Sequence, residues 1–182
     1  MKILVFLPSE SDSESGSQVW LYADSSLMGT NRALFLPDIS CAFHSCAALV
    51  ARIGRLGKSI MPQYAPRYCD AFTAGFVTMP AEGVANPLLR CFDGAVACGQ
   101  WVSANGTTMP TLEAHCGNTV SATHGNTTWH TVAQAVTAAS QQMTLKTGDL
   151  LCLAGNERFH VHAGDVLHGL IDGTEVLTVR VK

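Results

Sequence analysis

The chain has 182 residues, 47% of them hydrophobic and 14% charged, with a formal charge of −3. That length supports one domain with its own core, and the apolar fraction excludes a chain disordered throughout. A slight negative charge supplies no basic footprint, which argues against nucleic acid or an anionic membrane and leaves a small molecule or another protein as partner.

Residues 2–7 read as a short buried strand. Ile3–Leu7 is too short for the apolar centre of a signal peptide, and no run is long enough to cross a membrane as a helix, so a cytoplasmic protein is expected. Residues 9–17 are acidic and rich in Ser, the composition of a mobile loop. With the first strand they make a segment, 1–19, ahead of one domain at 20–182. The seven cysteines, at 41, 46, 69, 91, 98, 116 and 152, are odd in number and contain no C-x-x-C pair. Reduced, mostly buried thiols are expected rather than a disulfide framework.

The stretch 43–53 reads as a strand with His44, Cys46 and Ala48 on one face, broken at Gly54-Arg55-Leu56-Gly57. Pro62 to Thr73 reads as a short helix, because Tyr64, Tyr68 and Phe72 recur every four residues and Pro62 stands near its start. The clearest helix is Thr128 to Met143: Val132, Ala135, Val136, Ala139 and Met143 make an apolar stripe, with Thr127 or Thr128 as N-cap. Another buried strand starts at Leu150. At the C-terminus, Asp172-Gly173 is a hairpin turn, and Leu177, Val179 and Val181 alternate after it. Strands dominate, so the expected fold class is mainly β with flanking helices (α+β).

Several stretches carry a family resemblance. His44 with Ile53-Gly54-Arg55-Leu56-Gly57-Lys58, Arg90-Cys91-Phe92-Asp93-Gly94-Ala95, His124-Gly125-Asn126-Thr127-Thr128 and Thr144-Leu145-Lys146-Thr147-Gly148-Asp149-Leu150 resemble motifs of the fumarylacetoacetate hydrolase family across residues 20–182. The resemblance implies sheets rolled into a barrel-like core and a homodimer. It also implies Mg²⁺ or Mn²⁺ held by carboxylates, polarising a diketo acid for hydrolysis of a carbon–carbon bond, isomerisation or decarboxylation. Catalytic positions would be His44 and Arg90, and the substrate pocket would include Cys46, Ala48, Ala81, Asn126 and Gly155.

The departures from the family pattern fall on the chemistry. Cys46 and Ala48 stand where the family has metal-binding glutamates, and Ala81 stands where it has a substrate arginine. Glu82 is the single carboxylate left for a metal. Arg90 replaces a lysine and cannot readily release a proton. The run Ala154 to His162 replaces a Gly-Thr-Pro loop that lines the substrate, and His160 and His162 read as part of a solvated loop, although they would share a face if extended. No metal cofactor is therefore expected, and the ancestral activity is read as weakened or lost; a non-catalytic ligand-binding or protein-interaction protein is the alternative. Zn²⁺ on His44, Cys46 and Glu82 is a second option for the metal. Cys46 as a nucleophile with His44 as base is disfavoured, because side chains two apart on a strand run parallel.

Overall fold

The computed structural model describes residues 1–8, 18–81, 87–104, 109–117, 119–124 and 128–182. In chain order these form strands β1 (Ile3–Leu7), β2 (Gln18–Tyr22), β3 (Leu27–Gly29), β4 (Ala33–Leu34), β5 (Phe43–Ile53), β6 (Cys69–Pro80), β7 (Val96–Cys98), β8 (Val102–Ser103), β9 (Leu112–Cys116) and β10 (Thr119–His124). Helix α1 (Trp129–Gln142) follows, then β11 (Leu150–Val161), β12 (Val166–Ile171) and β13 (Thr174–Val181). The fold is mainly β, as expected, and no helix among the described residues is long and apolar enough to cross a membrane.

The larger sheet runs β2-β1-β11-β5-β6-β7-β3, with β8 paired to β6, and the smaller runs β10-β9-β12-β13-β4. The two ends of the larger sheet, β2 and β3, are consecutive in the chain and separated only by a 3₁₀ turn at Asp24–Ser26. A connection that short reaches at most about 17 Å, so the sheet must curl until its edges approach each other. Across the seam the Cys91 thiol donates to the Leu21 carbonyl at 3.8 Å.

Curling gives the sheet two unlike faces. On the outer face Leu49, Phe72, Phe76 and Leu151 pack with Leu112, Leu167, Leu177 and Val179 of the smaller sheet and with Val132 and Val136 of α1. On the inner face Ile3, Val5, Tyr22, Cys46, Ala48, Val50, Val77, Cys98 and Cys152 form a second apolar cluster. Small side chains suit that face, since a concave surface leaves less room per residue.

Local chemistry explains the joints. In the turn after β5, a Cβ on Gly57 would lie 2.4 Å from the Tyr68 ring and one on Gly54 2.6 Å from Asp70 Cβ, so only glycine allows the chain this close to the start of β6. The buried Asp149 carboxylate accepts hydrogen bonds from the backbone N–H of Lys2 (2.8 Å) and Lys146 (2.7 Å) and pairs with the Lys2 ammonium, fastening β1 to the start of β11. Asp172 and Gly173, with φ of 50° and 74°, make the hairpin turn between β12 and β13. Helix α1 begins after Thr128 and buries Val132, Ala135, Val136 and Ala139 as its stripe predicts.

Two expectations are corrected. Pro62 to Thr73 is not one helix: a 3₁₀ helix occupies Pro62–Arg67 and β6 begins at Cys69. Pro66 sits inside that helix and lacks the N–H an α-helical turn needs, while Phe72 is claimed by the sheet, edge-on to Trp129 at 5.5 Å. The run from Ala154 is not a loop, because β11 continues to Val161 and pairs with β5 up to Ala154 and again from Arg158, with a register shift between them. The loop expected at 9–17 lies outside the described residues.

Candidate functional site

The inner face can be built row by row from the register of β6, β5 and β11. The first row is Met79–His44–His160, the second Val77–Cys46–Arg158 and the third Gly75–Ala48–Ala154. Directly opposed residues on neighbouring strands share a face, so each row is a set of side chains in contact range. Cys46 and Ala48 are 1% and 0% exposed among apolar neighbours.

These rows can be tested against a hard divalent ion. Mg²⁺ and Mn²⁺ require oxygen ligands. Ala48 offers no ligand atom. Burial pushes the Cys46 thiol up, with Arg158 opposing only in part, so it stays a neutral, soft group. Burial likewise raises Cys98 to about 12. Arg158 stands across from Cys46 in the same row and supplies no oxygen either. The described residues therefore do not fit the ion; Glu82 lies outside them. The same facts weigh against Cys46 as a nucleophile, which needs a thiolate.

Polar groups gather instead at the seam. Tyr22 is 2% exposed and its hydroxyl has no hydrogen-bond partner. Burial raises its pKa; Arg90 acts against this, and Cys91, Cys152 and Cys46 add to it, which locates the phenol among those four groups. Arg90 ends a 3₁₀ turn at Pro87–Arg90 and lays its guanidinium over the Trp20 ring, 3.9 Å from the centroid. Its Nε and the Trp20 Nε1 are also buried without partners. Buried donors are almost always paired, so three unpaired ones along one seam are a feature to explain. An anionic oxygen, or water, would satisfy them.

At the open end of the rows the two histidine rings of β5 and β11 meet, with centroids 4.3 Å apart and planes at 64°. His44 Nδ1 is buried and unpartnered. Desolvation, then His160 and Arg158, lower the His44 pKa, so its ring is neutral near pH 7. His162 turns elsewhere: its backbone N–H donates to Asp165 at 2.8 Å, and its ring lies 3.7 Å from the same carboxylate.

The residues singled out in the sequence distribute as follows. His44, Cys46 and Ala48 line one inner face, with Arg90 at the seam beside Tyr22. Gly155 is buried within the irregular stretch of β11. Ala81 closes β6, its N–H donating to the Ala42 carbonyl at 2.9 Å. Asn126 lies outside the described residues. Sequence reasoning missed Arg158 and the pairing of His160 with His44. One signal was present: Leu151, Leu153, Phe159 and Val161 share odd parity, and all four are buried on the outer face.

A family model, fumarylacetoacetate (FAA) hydrolase C-terminal, matches residues 7–182. No curated protein sequence matches the chain. Among solved structures, 5-carboxymethyl-2-hydroxymuconate delta-isomerase from Mycobacterium smegmatis is similar at 19% identity and TM-score 0.84, over 99% of this chain and 78% of that one. Fumarylpyruvate hydrolase from Pseudomonas aeruginosa, in complex with Mn²⁺ and pyruvate, is similar at 18% identity and TM-score 0.84, over 100% and 89%. Maleylpyruvate hydrolase from Sphingobium sp. SYK-6 has 19% identity and TM-score 0.80, over 99% and 69%. At these identities the structural likeness establishes the fold. The family model spans nearly the whole sequence, and the chain belongs to the fumarylacetoacetate hydrolase family.

Proposed function

We infer that this chain binds a small diketo acid or related carboxylate on the inner face, with the family's metal-dependent reaction weakened or lost. The observation that carries the reading is the burial of Cys46 and Ala48, without an oxygen ligand, where the family pattern has two glutamates. A similar structure holds Mn²⁺ and pyruvate, which makes a pyruvoyl compound the reasonable ligand class. In this chain Arg90, held flat on Trp20, would orient the carboxylate, and the Tyr22 hydroxyl would donate a hydrogen bond to it. Neither group is a base at neutral pH: a guanidinium keeps its proton, and burial raises the phenol pKa further. The family's carbon–carbon bond hydrolysis, isomerisation and decarboxylation all need the polarising ion, so binding without efficient turnover is the consequence.

The test is an acylpyruvate hydrolysis assay with Mg²⁺ or Mn²⁺, beside thermal melts with pyruvate. A pyruvate-dependent rise in melting temperature, lost in Arg90→Met, with no metal-dependent turnover supports the reading. Efficient turnover that requires Mn²⁺ defeats it. A homodimer is part of the same proposal: β2 is an edge strand that exposes Val19 (48%) and Leu21 (56%), an apolar edge of the kind a second copy covers. Light scattering on the eluting protein, with Leu21→Lys as the disrupting variant, tests it.

A further inference from the structure

We propose that Met79, His44 and His160 form a binding site for a soft monovalent metal ion, copper(I), at the open end of the inner face. The three residues stand in one row on β6, β5 and β11, with His44 in the middle. Neighbouring strands are about 4.8 Å apart, and on the concave side of a curled sheet the flanking side chains lean towards the central one. Two imidazoles that share one ion hold their centroids roughly 5 Å apart, given metal–nitrogen bonds of about 2 Å. The observed 4.3 Å is a direct edge contact, shorter than that, and His160 is exposed, so its ring would turn outward to admit the ion.

An unpartnered ring nitrogen supplies the second observation. His44 Nδ1 is buried with no hydrogen bond, an arrangement that costs free energy unless something binds there. Met79 is 7% exposed, its thioether on the same face as the His44 ring. The ligand set then selects the ion. Among the described residues no third His, Cys, Asp or Glu completes a metal cluster with the pair, so the thioether is the remaining donor. Two imidazoles and a thioether form a soft to borderline set, matched to copper(I) and unsuited to Mg²⁺ or Mn²⁺.

This site uses different residues from the carboxylate pocket at Arg90 and Tyr22, and its test is separate. Anaerobic titration with copper(I) against a chromophoric chelator would use protein in which the accessible thiols Cys41, Cys91 and Cys116 are changed to serine. Iodoacetamide-treated wild-type protein serves as a second preparation should that variant fold poorly. One equivalent is expected to bind. His160→Ala and Met79→Leu should each weaken it at least tenfold, without changing the melting temperature of the metal-free protein by more than a few degrees. Copper K-edge absorption should report nitrogen and sulfur ligands together. Binding unchanged in either variant, a site with sulfur ligands alone, or no binding in competition with the chelator would each overturn the proposal.

Discussion

The two faces of the larger sheet are built from the same strands and have opposite characters. The outer face is made of large apolar side chains, Leu49, Phe72, Phe76 and Leu151, each matched by the smaller sheet or α1. On the inner face are alanines, valines and thiols, and along its rim lie four buried polar atoms without partners: Trp20 Nε1, Tyr22 Oη, His44 Nδ1 and Arg90 Nε. The outer layer has such atoms too, Trp129 Nε1 and Thr137 Oγ1 on α1, but on the inner side Trp20, Tyr22 and Arg90 gather three of them at one seam. The contrast is therefore one of side-chain size and of how the polar atoms cluster.

Substitutions on the outer face should cost the most. Phe72 is 1% exposed and packs edge-on to Trp129, so Phe72→Ala should destabilise by roughly 3–5 kcal/mol in denaturant melts, and a loss under about 1 kcal/mol would show the face to be loosely packed. Next comes the joint between β1 and β11. Asp149→Ala strands two backbone N–H groups and the Lys2 ammonium, for an expected loss of about 2–4 kcal/mol.

On the inner face the sign should reverse. Tyr22→Phe removes an unpartnered hydroxyl and should leave the ligand-free protein unchanged or up to about 1 kcal/mol more stable, while weakening its response to pyruvate. Clear destabilisation without ligand would mean that the hydroxyl already has a structural partner. The smallest effect concerns pH. Desolvation, His160 and Arg158 hold the His44 pKa below its ordinary 6.5 in the folded protein. Between the two values the unfolded state binds more protons, so stability falls as pH drops below 6.5 through that window. His44→Gln should flatten this slope in melts between pH 7 and pH 5.

Elements set by local chemistry were readable from the sequence. The strand at 43–53 shows in the alternation that puts His44, Cys46 and Ala48 on one face and in the glycine break after it, α1 in its stripe, and the last hairpin in Asp172-Gly173, because each depends on neighbours a few residues away. Pro62 to Thr73 misled for the same reason: the spacing of Tyr64, Tyr68 and Phe72 fits a helix, but β5 and β8 pair with β6 and take Phe72 into a sheet. The candidate site was legible in part. That Cys46 and Ala48 offer no oxygen follows from residue identity alone.

Sequence by itself thus determined the family, the dominance of strands and the absence of a side-chain oxygen at Cys46 and Ala48, since these reside in motifs and side-chain types. Only the tertiary structure decided which side chains stand beside those two positions. The row Met79–His44–His160 and the group of Tyr22 with Arg90 join residues far apart in the chain. Strand register and the curl of the sheet bring them together, and both depend on how the whole chain buries its apolar surface rather than on any local pattern.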